Sequence, residues 1–459
     1  MLRILRGVGW ALLGLLVLVV LVWTLSRFWP LPAAQREQVR LLEDVRQAPG
    51  RNGFALLWTL PFNGLDPARR EAALAEDARR WQARSTPDVI DSALAATQPA
   101  VKVDNQGYCR SSGESCLARV RADTAQFRAA HAGHEGLHQR LDALADAERF
   151  DSPFQADDGT GLFPMPRYQT LMDGSGVHAL AFVQGDVPAA LAGSCRSVQL
   201  GRRLMHGGNT LIDSMIGAAM VGANVHLLAE MLAELPPDQV LPSACESALQ
   251  PMEAAEQSLC RPMQGEFAMT RAAIDASLQQ TGTVLVMDRE HTLGRFAANF
   301  GWACGPGSEA ALQADRPVEV VAGSDWDMRC LANFVGCTLS DISGPAYQDY
   351  AARSQDVAAL LRLLGAQRWL RKQPEGPQQA LQRLPAQWRS STRVPVLSAN
   401  GTRLQVSRRA RDAGGKDDAM LSVPLSVRQR WRAPAASGAR RPACARGRRR
   451  RRRHQPRRC

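Results

Sequence analysis

The sequence predicts a mainly α-helical protein: an N-terminal transmembrane helix, an antiparallel helical bundle as the body, and a small C-terminal β-hairpin. Three observations predict it. A charge-free apolar run, VGWALLGLLVLVVLVWTL, fills residues 8–25. Between about residues 167 and 280, apolar positions recur at helical spacing. Short joints at Gly185-Asp186, Gly207-Gly208 and Pro236-Pro237 interrupt them, which favours antiparallel neighbours. Near the C-terminal end, Asn400-Gly401 separates two alternating apolar stretches, a strong hairpin signal.

The apolar run spans about 27 Å at ~1.5 Å per residue, close to the hydrocarbon thickness of a bilayer. Trp10 stands near one end and Trp23 and Trp29 near the other, where indole rings favour the interface. Arg3 and Arg6 precede it as in a signal sequence, but Pro32-Ala33-Ala34 is a poor cleavage site. Residues 1–30 therefore read as an uncleaved signal anchor. Arg27, Arg36 and Arg40 follow the span, so charge alone does not orient it.

Residues 33–49 read as a short helix with Leu41, Leu42 and Val45 on one face. FALLWTL at 54–60 fits either a strand or a buried helix. Asp66-Pro67 is an N-cap followed by Pro at the first helical position, which starts a helix over 67–83. A loop carrying Cys109 occupies 103–115, a helical stretch 117–147, and a looser segment 150–166. Helices follow at 167–184, 188–204, 209–235 and 243–280. In the third, Met215–Val221 is apolar but bracketed by Asp213, Asn224 and His226, so it reads as a central bundle helix rather than a span. The pattern fails over 281–325, where only 283–287 suggests a strand. Helix returns at 344–373, and a third strand is expected at 421–425. The organisation expected is an anchor at 1–30, a body at 31–375, a β-hairpin region at 376–427 and a tail at 428–459.

An apolar share of 45% and a charged share of 22% exclude global disorder and a polytopic membrane protein. The net charge of +12 belongs to the tail: residues 428–459 hold 14 Arg and no acid, and removing those charges leaves −2 for the rest. The tail has no apolar periodicity and is expected not to fold. Its composition is what an out-of-frame reading of GC-rich DNA would produce. No base-reading motif or stacking aromatics accompany it, so no nucleic-acid partner is expected.

Eight cysteines lie in the body, and no CxxC occurs. An even number favours disulfides, hence an oxidising compartment such as the bacterial periplasm, with several buried free thiols as the competing reading. The expected pairs are Cys109 with Cys116, Cys330 with Cys337, Cys245 with Cys260 across a turn at Pro251, and by exclusion Cys195 with Cys304. The expected topology is then a bacterial inner-membrane anchor with a periplasmic body.

One motif could carry chemistry. His134-Glu135-Gly136-Leu137-His138 is HExxH: on a helix the two imidazoles share a face, zinc can bind both, and Glu135 can act as base on a metal-bound water. His131 lies about one turn earlier and offers a third nitrogen; Asp157 or Asp158 could supply a further ligand. Against this, Gly133 and Gly136 weaken a helix, and Arg140 stands where zincin helices carry an apolar residue. The competing reading is solvated histidines on an exposed face. Asp288, Glu290 and His291 form a polar cluster with no nucleophile, read as a solvated loop. Residues 178–195 resemble one tetratricopeptide-type hairpin, too little for a solenoid. GxSxG, Walker A and GxGxxG motifs are absent.

The anchor at 8–25, the Cys109/Cys116 loop before a long helix, and NTLIDSMIGAAM at 209–220 resemble an uncharacterised bacterial group of single-pass envelope proteins with helical extracytoplasmic bodies. The C-terminal hairpin and strands distantly resemble pseudopilin-like endings. The resemblance implies no activity. The expected role is structural or partner-binding in the cell envelope, with the inner membrane and an unknown envelope protein as partners and no cofactor. The alternative is a zinc-dependent metallopeptidase using residues 134–138.

Overall fold

The computed structural model describes residues 2–45, 49–84, 90–104, 107–109, 115–155, 163–320, 326–411 and 419–425. The tail at 428–459 and both Asp157 and Asp158 lie outside them.

Helix α1 (Leu2–Arg27) is the candidate membrane-spanning helix; none of its most apolar window is buried within the protein. Helices α2 (Ala33–Glu43), α3 (Phe54–Trp58) and α4 (Pro67–Ala83) follow. The ambiguous 54–60 segment is thus helical. Asp66 caps α4 as its sequence demands, accepting from the Arg69 amide at 2.8 Å. The expected 117–147 helix is three: α5 (Cys116–Ala122), α6 (Thr124–Ala130) and α7 (Glu135–Leu144). Asp123 ends the first and caps the second, accepting from the Gln126 amide, so one side chain breaks the run.

Helices α8 (Asp173–Val183), α9 (Val187–Gly207) and α10 (Leu211–Glu234) form the centre. Most of the apolar window of α10 is buried, which accounts for its hydropathy without a membrane. The backbone of Gly217 on α10 closes directly on that of Gly201 on α9. The expected 243–280 helix is also divided, into α11 (Ala244–Ala248), α12 (Ala254–Gln257) and α13 (Cys260–Leu278). The segment expected as loop and strand over 281–325 instead holds a 3-10 turn (Thr283–Leu285), α14 (Arg289–Phe300), a second 3-10 turn (Gly301–Cys304) and α15 (Pro306–Gln313). Periodicity failed there because α14 is buried on nearly every side, polar residues included. Helices α16 (Arg329–Ala332), α17 (Phe334–Ser343), α18 (Gln348–Leu370) and α19 (Pro377–Leu381) complete the helical part.

The Asn400-Gly401 turn joins β1 (Val396–Leu397) to β2 (Arg403–Ser407), and β3 (Met420–Pro424) pairs antiparallel with β2. Leu404, Val406, Leu421 and Val423 point inward and join the core of α9, α10 and α18. A buried ion cluster ties this region down: Arg393 reaches Asp315 at 2.6 Å and Asp356 at 2.8 Å, while Arg362 and Arg409 also bind Asp315.

All eight body cysteines are bridged. Cys109–Cys116 and Cys330–Cys337 pair as expected, with Cα separations of 5.4 and 5.8 Å. The other expected pairs are wrong: Cys195 joins Cys245 and Cys260 joins Cys304, at 5.0 and 4.5 Å. The chain does turn near Pro251, but that turn does not bring Cys245 to Cys260. Arg202 of α9 donates to the carbonyls of Ser247, Ala248 and Gln250 and pairs with Glu256. It clamps α11 onto α9, so Cys245 meets Cys195. Cys260 opens α13 and faces the 3-10 turn that holds Cys304.

Candidate metal centre

Three histidines and one aspartate converge between α6, α7 and α8. His131 caps the end of α6, His134 stands at the N-cap of α7, and His138 lies one turn along α7. Gly133 carries φ +78, a left-handed bend that turns the chain between the first two histidines. The fourth member, Asp173, is the first residue of α8, where the helix N-terminus favours a negative charge.

The carboxylate is at the centre. Asp173 Oδ2 lies 3.1 Å from His134 Nδ1 and 2.7 Å from His138 Nε2, and Oδ1 lies 3.2 Å from His131 Nδ1. One ligand atom from each of the four residues falls within 4.8 Å of all the others. The three imidazole centroids make a nearly equilateral triangle with sides of 6.1–6.3 Å. A tetrahedral zinc with bonds of ~2.0–2.1 Å sets its donors about 3.3–3.4 Å apart, so the widest pair would close by roughly 1.4 Å through side-chain rotation.

His131 is held in place by its outer contact. Its Nε2 is 2.9 Å from the Gly107 carbonyl, which can only accept, so that nitrogen carries the proton. Its Nδ1 is buried, makes no hydrogen bond of good geometry, and faces Asp173 Oδ1 at 3.2 Å. A bound cation would satisfy both, and the Gly107 carbonyl is the outer partner that commonly orients a metal-binding imidazole.

Burial opposes ionisation of Asp173, but contacts with His131 and His138 outweigh it and hold its carboxyl well below the usual range. On the next turn of α8, His178 meets Ser197 Oγ at 3.1 Å. Burial, helped by nearby His138 and His131, pushes it down to about 3, so it stays neutral.

The loop that holds Gly107 is itself anchored. Two residues on, the Cys109 amide donates to Ser175 Oγ on α8 at 3.0 Å, and the Cys109–Cys116 bridge joins the loop to α5. Gly176 lets this loop lie against α8: a Cβ there would stand 1.7 Å from the Gly107 oxygen and 2.6 Å from His131 Nε2.

The HExxH histidines are therefore brought together with His131, as the sequence allowed. The reading of solvated histidines on an exposed face is overturned: His131 and His134 are buried and His138 half-buried. Asp173, which sequence reasoning missed, supplies the fourth donor from 35 residues beyond His138. Glu135 is exposed. Arg140, at the position where zincin helices carry an apolar residue, anchors α7 through the Leu60 carbonyl and Asn63. His291 is no part of this site and not in a solvated loop: it is buried on α14, with Nε2 2.8 Å from the Trp29 carbonyl.

Comparison with protein-family models, curated proteins and solved structures returns no match. Fold and site thus define a membrane-associated protein with a soluble helical domain. That domain contains a cluster of three histidines and one aspartate, of metal-binding type.

Proposed function

We propose that this is a single-pass, membrane-anchored periplasmic protein whose body binds one transition-metal ion through His131, His134, His138 and Asp173. The observation that carries the reading is the convergence of those four donors within 4.8 Å. Imidazole nitrogens with a carboxylate suit zinc first, with nickel, copper and cobalt as competitors. The four disulfides support a periplasmic body, because bridges persist in oxidising compartments. Four protein donors complete a tetrahedron, the arrangement of a closed structural site. The ion joins α6, α7 and α8 and braces the body for contact with envelope partners.

A peptidase reading keeps one specific support: His134, Glu135 and His138 have the order and spacing of zinc hydrolases, and both imidazoles aim at one point. Hydrolysis would require Asp173 to leave the metal and admit water, and Glu135 to turn inward to reach it. The closed site therefore ranks first.

Metal analysis of full-length protein, purified in detergent and equilibrated with micromolar zinc, tests this. One zinc per chain is expected, lost on His134→Ala or Asp173→Ala. No bound metal in the wild-type protein would refute the site. Peptidase activity abolished by Glu135→Gln would instead favour the hydrolase.

A further inference from the structure

Helix α17 is amphipathic the wrong way round for a helix facing water. Gly336, Cys337 and Ser340 are buried, whereas Phe334, Leu339 and Ile342 are exposed, Ile342 by 72%. Polar contacts fix this orientation. Asn299 of α14 donates to the Ser340 carbonyl at 2.8 Å, Arg295 pairs with Asp341 at 2.6 Å, and Cys337 is bridged to Cys330. The α17 apolar face cannot roll inward without breaking them. It continues into Leu331, Met328 and Trp326, whose indole donates to Asp341. Beside it, the Val286 carbonyl accepts from the Val335 amide, and Val284 and Leu285 are exposed as well. An apolar patch of this kind marks an interaction surface.

Its occupant is indicated by α1. The 18-residue run ending at Leu25 is about 27 Å long, so Leu25 stands near the hydrocarbon boundary. The body grips α1 from Val22 onward: Val22, Trp23 and Thr24 are half-buried and Ser26 is buried. Trp23 Nε1 donates to the Leu285 carbonyl at 2.9 Å, and Ser26 Oγ accepts from the Ala332 amide at 2.8 Å. These contacts hold the 283–287 turn and α16–α17 at the depth of the last apolar turn of the span. The exposed apolar wall of α1 and the patch are thus continuous. The charges along this face are partnered, Arg329 with Asp327 and Arg27 with Asp288.

We propose that α16–α17 and the 283–287 turn form a second membrane contact, an interfacial platform inserted into the same phospholipid leaflet from which α1 emerges. Interfacial helices bury an apolar face at the boundary between headgroups and acyl chains while polar residues face the other way. The platform would fix the body's tilt and place α14, which packs on α17, directly above the membrane. The inference rests on α1 crossing a bilayer and is independent of the metal site.

The test uses the full chain reconstituted in phosphatidylcholine/phosphatidylglycerol vesicles containing a phosphatidylcholine with a photoreactive diazirine in its acyl chain. Illumination, proteolysis and mass spectrometry map the adducts. Adducts on Leu331, Phe334, Leu339 or Ile342, alongside those on 8–25, are expected. Phe334→Asp combined with Ile342→Asp, both at exposed positions, is expected to remove the α17 adducts while leaving those on α1 unchanged. Adducts confined to α1 in the wild-type protein would overturn the proposal. So would protection of α17 by cross-links to a second copy of the chain in place of lipid.

Discussion

Replacing Gly176 by alanine isolates the support of the proposed metal site from its ligands. The added Cβ would lie 1.7 Å from the Gly107 oxygen, a backbone atom, so the loop or α8 must move. Either movement lengthens the 2.9 Å contact between His131 Nε2 and that oxygen. Loss of an outer-shell partner typically weakens metal binding about 10–100-fold, or roughly 1.4–2.8 kcal/mol. Overpacking adds about 1–3 kcal/mol of destabilisation whether or not metal is bound. The two effects separate by titration. At zinc equal to ~100 times the wild-type Kd, binding stabilises the wild-type protein by about 2.7 kcal/mol. The variant would gain only about 0.4–1.4 kcal/mol at the same zinc concentration. Chelator competition gives the affinity, and thermal unfolding with and without zinc gives the linked stability. Gly174→Ala is the control on the same helix: its Cβ would meet only side chains, at 3.2 Å or more, and affinity should stay near wild type. Wild-type zinc affinity in a folded Gly176→Ala protein would refute the role assigned to the Gly107 carbonyl.

Replacing Cys109 and Cys116 together by serine should destabilise the protein by about 2–3 kcal/mol from loop-closure entropy. It should also lower zinc affinity, because that bridge anchors the loop bearing Gly107; unchanged chelator competition would argue against the link. Arg393→Ala should cost about 1.5–3 kcal/mol in denaturant unfolding, since it removes buried charge-assisted hydrogen bonds to Asp315 and Asp356 while Arg362 and Arg409 still hold Asp315. Burial opposes the charge of Asp315, but Arg393 and Ser390 hold its carboxyl below the usual value. Its contribution is therefore fully present above the unfolded aspartate pKa near ~4 and is lost as pH falls below it. Asp315→Asn should flatten this acid limb, and an unchanged acid profile would count against the cluster. Alkaline phosphatase fused after Leu425 should be active if the body is periplasmic; an inactive fusion beside an active cytoplasmic reporter would reverse the topology.

The legible parts share a physical feature: their signal is local. The apolar run of α1, the Asp66-Pro67 start of α4, the Asn400-Gly401 turn and the two short disulfides each depend on residues within a few positions of one another. The candidate metal centre was half legible. His131, His134 and His138 lie within eight positions, so their spacing announced them, whereas their burial did not show. Asp173 could not be read because nothing near it in sequence distinguishes its carboxylate from any other helix-starting acid. Helix α14 was missed for a related reason: Arg295 and Asn299 are buried, with partners on α17, so the segment has no water-facing stripe to reveal its period.

The sequence by itself determined a mainly helical chain with a candidate N-terminal membrane-spanning helix, because bilayer thickness, helical period and turn chemistry are all written in neighbouring residues. Tertiary structure decided the rest. Arg202 clamps α11 onto α9 and thereby selects Cys195 for Cys245. The meeting of α6, α7 and α8 adds Asp173 to three histidines and buries the set. The seating of α14 against α17 turns an apolar face outward beside α1. Each is a choice among long-range partners, set by which faces fit when the core closes, and local sequence carries no record of that choice.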